Sequence, residues 1–83
     1  MIAFLLMKLH VIVMPKRSVL DPQGVAVRNA LRETGLDMVE QVRVGRFLEL
    51  EFSREPDPAK LEAICRDLLS NPVIEDYVVE RGG

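Results

Sequence analysis

The chain has 83 residues, 48% of them hydrophobic, with 11 basic and 13 acidic side chains for a formal net charge of −2. One domain spanning residues 1–83 is expected, and a domain this short buries only roughly 60% of the surface of its unfolded chain, so it needs a disulfide, a metal or association to support its core. Cys65 is the single cysteine and His10 the single histidine, which excludes an internal disulfide and a self-contained zinc site, while the charge balance argues against nucleic acid as the main partner because phosphate binding needs a concentrated basic face.

Association is the remaining route to stability. The opening Met1-Ile2-Ala3-Phe4-Leu5-Leu6-Met7 is apolar. It lacks the basic n-region and small-residue cleavage site of a signal peptide, and a membrane span needs about 20 apolar residues. It reads as an extension of the first strand or, preferably, as an N-terminal addition over residues 1–6 ahead of a start at Met7. A lone cysteine and no secretory signal place the chain in the cytoplasm by expectation, with no membrane partner.

Met7 to Met14 is β-branched and predicts a strand, with Leu9, Val11 and Val13 on one face and His10, Ile12 and Met14 on the other. Apolar residues on both faces suggest a central strand. After a loop at Pro15-Lys16-Arg17-Ser18, the stretch Val19-Leu20-Asp21-Pro22-Gln23-Gly24 marks a helix start. Asp21 is suited to the N-cap and Pro22 to the first helical position. Gly24 weakens a first turn by roughly 1 kcal/mol against alanine, so close approach of backbone from a neighbouring strand or another chain is the expected reason for it. The helix should run from Pro22 to Thr34, burying Val27, Ala30 and Leu31, and end on Gly35 in the left-handed conformation with Leu36 beyond.

Met38 to Val44 predicts a second strand, and Gly45-Arg46 a two-residue hairpin of type II′. Phe47 to Ser53 predicts a third strand with Leu48, Leu50 and Phe52 on one face and Phe47, Glu49 and Glu51 on the other. Asp57 and Pro58 cap and open a second helix, whose buried stripe is Leu61, Ile64, Cys65 and Leu68 with Leu69 beside it. Asn71-Pro72 stops it. Val73 to Glu80 is the last strand, before the tail Arg81-Gly82-Gly83. The order strand–helix–strand–strand–helix–strand predicts an α+β, ferredoxin-like fold with both helices on one face of an antiparallel sheet. The other face, carrying side chains such as Ile12, Phe47 or Val79, would then be open for oligomerisation.

Catalytic chemistry requires converging groups, and none is evident. Cys65 lies in the apolar stripe of the second helix and reads as a buried, inert thiol. His10 has no nucleophile beside it. Glu49 and Glu51 read as a solvated or interface pair before they read as an acid–base pair. The two guanidinium groups of Arg43-Val44-Gly45-Arg46 could hold phosphate or carboxylate, form a solvated turn, or meet an acidic patch on another protein. Gly24 and Gly45 form neither GxGxxG nor a Walker sequence. The first strand has no aromatic residue between Met7 and Met14, unlike the strands of ferredoxin-like RNA-binding domains.

Taken together, Leu20-Asp21-Pro22-Gln23-Gly24 with Ala26-Val27 and Leu31, Val42-Arg43-Val44-Gly45-Arg46 with Glu49-Leu50, and Cys65-Arg66-Asp67-Leu68-Leu69-Ser70-Asn71-Pro72-Val73-Ile74-Glu75 resemble the PurS family, the small subunit of phosphoribosylformylglycinamidine synthase. The likeness runs from Met7 to Glu80 in order and spacing. Two departures are Arg46, where the family often has lysine, and Met1–Leu6, which lies outside the pattern. The resemblance implies a small subunit without a catalytic site of its own, in an ATP-dependent, glutamine-hydrolysing ligase of purine biosynthesis. As a homodimer or tetramer it would bridge a large synthetase subunit, expected to hold ATP and magnesium, and a glutaminase subunit that releases ammonia, with no cofactor in this chain. The expected partner contacts are Asp21, Pro22, Gln23 and Gly24, then Arg43, Gly45 and Arg46, then Asn71 and Pro72, since loops on a rigid scaffold carry such contacts. The alternative reading is a ferredoxin-like dimeric regulatory module that binds an amino acid or nucleotide between its subunits.

Overall fold

A computed structural model describes residues 7–82; the expectation about residues 1–6 lies outside them. Three strands, β1 (Met7–Pro15), β2 (Arg46–Phe52) and β3 (Glu75–Arg81), alternate with α1 (Pro22–Glu33) and α2 (Pro58–Ile64), and α2 continues into a π-helical turn over Cys65–Leu69. The sheet is antiparallel in the order β2-β1-β3, with β1 central as its two apolar faces predict.

Register sorts the faces. Val11 lies opposite Leu48 and Val79, and Val13 opposite Arg46 and Tyr77. Directly opposed residues share a face, so this side carries Leu9, Val11 and Val13. It is covered by the second helical segment: Val11, Val13 and Cys65 are fully buried, with Leu48, Leu50, Leu61, Leu69 and Tyr77 packed against them. The opposite side brings Ile12 next to Phe47 and Val78, and both of the latter are exposed. Val79 was expected on this open side, but it faces the helix, because its register partner is Val11.

The π turn alters the predicted stripe of the second helix. The Ser70 N–H donates to the Cys65 carbonyl five residues back, at 3.1 Å. The Ser70 hydroxyl donates to the same oxygen at 2.8 Å. This wider turn puts Leu69, instead of Leu68, in line with Cys65. Leu68 is consequently 75% exposed, and Ile64 is exposed as well.

The helix ends follow the sequence. Asp21 and Asp57 cap α1 and α2, each followed by proline. At the C-terminus of α1 the Gly35 N–H donates to Arg32 and the Leu36 N–H to Leu31. With Gly35 at φ +109°, this is a Schellman closure.

Met38–Val44 does not form the predicted second strand. Its backbone groups are bonded elsewhere: the Val44 N–H donates to Asp21 Oδ2 at 2.8 Å, and the Val39 carbonyl accepts from Arg32 Nε at 2.7 Å. The type II′ turn at Gly45-Arg46 is absent too. Such a turn needs positive φ at its first residue, and among the described residues Gly35 alone has it. Gly45 is glycine for another reason, since a Cβ there would run into the Val13 carbonyl and Met14 Sδ of β1.

The predicted helix layer is also incomplete. No residue of α1 joins the core cluster, and Gly24 is its one buried residue. Val27 and Ala30, expected to be buried, are exposed, and Leu31 is half-buried.

Candidate functional site

Asp21 connects two segments distant in sequence. One carboxylate oxygen accepts from the Gly24 N–H at 3.0 Å, closing the first turn of α1. The other accepts from Val44. These two amides, Val44 foremost, hold the Asp21 carboxyl below its ordinary pKa, because both favour the ionised form. The pairing brings the 42–44 segment against α1. A Cβ on Gly24 would collide with the Val42 carbonyl oxygen and fall 2.8 Å from Asp21 Oδ2. The glycine in the first turn is thus explained by close backbone approach, as expected, although the backbone that approaches is the loop at Val42 of the same chain and neither a strand nor a second chain.

Arg43 and Arg46 diverge. Arg46 makes a two-pronged pair with Glu75, at 2.9 and 3.1 Å, and donates to the Leu69 carbonyl at 2.8 Å. Glu75 also accepts from the Asn71 N–H at 2.8 Å. Arg46 first, then this amide, lowers the Glu75 pKa. Asn71 turns the chain into β3, its side-chain oxygen accepting from the Val73 N–H at 3.1 Å. Arg46, Asn71 and Glu75 therefore join the start of β2, the end of the helical segment and the start of β3. Arg43 points elsewhere, donating to the Pro15 carbonyl. The two guanidinium groups do not form one anion fork.

The loops meet at one end of the sheet. Asp21, Pro22, Gln23, Gly45 and Arg46 line a groove of about 430 Å³ together with Glu75. Its other walls include Leu20, which is 78% exposed, and the exposed Val44 and Ile74. Gly24 and Arg43 line an adjoining cavity, and Pro72 lines another recess beside Lys16 and Glu75. The sequence singled out Arg46 but gave Glu75 no part; its position opposite Arg46 follows from a helical crossover of 29 residues. A carboxylate just after Asn71-Pro72 was the available signal.

On the open sheet face the His10 Nε2 lies 4.0 Å from Glu49 Oε1. Glu49 meets Lys8 at 2.8 Å on the open sheet face, and this pair lowers the Glu49 pKa and raises that of Lys8. That is the wrong direction for a carboxylate acting as a general acid near neutrality. The His10 ring stacks at a tilt on Phe47, with centroids 4.7 Å apart. Burial pushes the Cys65 thiol up, which suppresses its nucleophilic form. Among the described residues no group of three or more His, Cys, Asp or Glu side chains is placed to hold a metal ion, and no helix is long and apolar enough to cross a membrane.

These features define a small α+β domain with a three-stranded antiparallel sheet and a loop-end groove. The phosphoribosylformylglycinamidine (FGAM) synthase family PurS matches residues 8–82. The Synechocystis phosphoribosylformylglycinamidine synthase subunit PurS is 46% identical over 67 residues, covering 76% of this chain and 66% of that protein. The structure of Bacillus subtilis PurS superposes with a TM-score of 0.81 at 42% identity, covering 92% of this chain and 98% of the other. A chain in the structure of PurLQS from Thermotoga maritima gives 0.76 at 32% identity, covering 92% and 96%. The chain belongs to the PurS family, a subunit of the FGAM synthase ligase complex of purine biosynthesis.

Proposed function

We propose that this chain is a non-catalytic spacer that works as a homo-oligomer, bridging a synthetase subunit and a glutaminase subunit and helping ammonia pass between them. The observation that carries this reading is the amount of apolar surface left over by an open shape. The molecule measures 48 × 32 × 17 Å with a radius of gyration of 16.7 Å, against about 12 Å for a closed domain of this length. Leu20, Val27, Met38, Phe47, Leu68, Val73 and Val78 are all exposed. Such a surface favours association, and a second copy of the chain is the occupant that could cover α1 or the open sheet face. The likeness to a chain of PurLQS supports assembly with larger subunits, for which the groove around Asp21, Pro22, Gln23, Gly45 and Arg46 offers apolar walls and anchored backbone.

Ammonia in neutral water is mostly protonated and then lacks the lone pair needed for attack. A subunit that completes a wall between two sites assists by excluding water. It needs no reactive group of its own. In this reading ATP and magnesium belong to the large subunit.

Reconstitution tests the proposal. With all three subunits, glutamine should support synthesis of formylglycinamidine ribonucleotide. Without this chain the glutamine-dependent rate should collapse, while added ammonium salt still supports turnover by the synthetase subunit. Full glutamine-dependent activity in its absence would falsify the bridging role.

A further inference from the structure

The cavity behind the loop-end groove carries an unbalanced charge. Its walls, of about 140 Å³ in volume, include Lys16, Arg17, Arg28 and Arg43, and Asp21 is the one acidic residue among them. Asp21 is already committed to the Gly24 and Val44 amides, and Lys16 is neutralised by Asp76 at 2.6 Å. Among the described residues the three arginines form no salt bridge. Arg28 reaches no further than the side-chain oxygen of its neighbour Asn29, at 3.4 Å. Arg43 donates to the Pro15 carbonyl, and its Nε is buried with no hydrogen-bond partner.

From this geometry we propose that the cavity binds a phosphate group. Three arginines line the cavity against one occupied carboxylate, a balance of charge that favours a divalent anion. A tetrahedral oxyanion can accept from several guanidinium groups at once, whereas a planar carboxylate matches a single fork. The cavity volume suits a group of that size. Arg46 takes no part, because Glu75 occupies it. The site stands independently of the bridging role and involves no larger subunit.

The test is a ¹H–¹⁵N NMR titration of the full chain with inorganic phosphate and, separately, methyl phosphate, each against sodium chloride at matched ionic strength. Saturable shifts of the amides around Arg17, Arg28 and Arg43 are expected, with half-saturation on the order of millimolar. Saturation by methyl phosphate identifies a terminal phosphate of a larger molecule as a ligand; saturation by inorganic phosphate alone identifies the free ion. Arg28→Gln should raise the half-saturation concentration roughly tenfold. This variant is informative because Arg28 bonds only its neighbour, whereas Arg43→Gln also releases the Pro15 carbonyl. Arg54→Gln, outside the cavity, should change nothing. Linear shifts, an equal response to chloride, or unaltered binding by Arg28→Gln would overturn the site.

Discussion

The two helices of this chain are attached to its sheet in different ways. The α2 segment is held by packing: Cys65 sits at zero exposure against Val11 and Val13, with Leu61 and Leu69 beside it. The α1 region is held by polar clips, namely Asp21 to Val44, Arg32 to the Val39 carbonyl and Arg43 to the Pro15 carbonyl, while Val27 remains exposed. Packing energy scales with the apolar area buried; clips fix geometry and contribute less. The α2 region with the sheet is therefore the stable unit of the monomer, and the α1 region is specified in shape with its apolar surface still to be covered.

The largest expected effect breaks this comparison at its two poles. Val11→Ala should destabilise the chain by about 2 kcal/mol, from the lost transfer energy of two carbons plus a cavity. Val27→Ala should stay within about 0.5 kcal/mol in the monomer. Chemical denaturation at low and high protein concentration checks both. If α1 is covered by a second copy, the Val27→Ala cost should grow with concentration while that of Val11→Ala stays in place. A Val27→Ala cost near that of Val11→Ala at every concentration would show that α1 is packed within its own chain.

Gly24→Ala comes next and probes where the halves join. The new methyl meets the backbone carbonyl of Val42, which has no rotamer to yield with, so the 42–44 segment must move. A loss of about 1–2 kcal/mol is expected. Hydrogen exchange should accelerate first at Val44, whose N–H depends on Asp21, while the Val11 and Val13 amides of β1 keep their protection. Uniform acceleration across the sheet would mean that the two regions are one cooperative unit.

What could be read from the sequence follows the same division. Caps, helix stops and strand alternation are local, and Asp21-Pro22, Gly35-Leu36 and Asp57-Pro58 all sit as their chemistry dictates. The reason for Gly24 was legible because glycine in a first turn contradicts local preference. The errors came where non-local partners decide. Met38–Val44 has strand composition, yet its backbone groups bond to Asp21 and Arg32 instead of to a neighbouring strand. Gly45 was assigned to a turn, but it is small because β1 passes against it. Leu68 and Leu69 could not be distinguished, since one π turn exchanges their faces. At the groove, Arg46 and Asn71 were recognised separately, and Glu75, which joins them, becomes visible only once β3 lies opposite the start of β2.

The smallest expected effect is electrostatic and sharpens the role of the clips. Asp21 and Glu75 both have lowered carboxyl pKa values in the folded chain. A group whose folded pKa lies below its unfolded value stabilises the fold above the unfolded pKa and loses that contribution as pH falls through the folded one. Stability should therefore hold on the neutral side of about pH 4 and decline on further acidification. Asp21→Asn isolates the α1 clip. Its amide offers one acceptor oxygen where the carboxylate offered two, so it can serve Gly24 or Val44 but not both. The expected result is a melting temperature lowered by roughly 5 °C at neutral pH and a weaker decline in acid, because one titrating group has been removed. Thermal melts of both proteins between neutrality and about pH 3 decide the matter. Parallel curves would mean that the Asp21 carboxylate contributes shape to the α1 region without contributing charge-dependent stability.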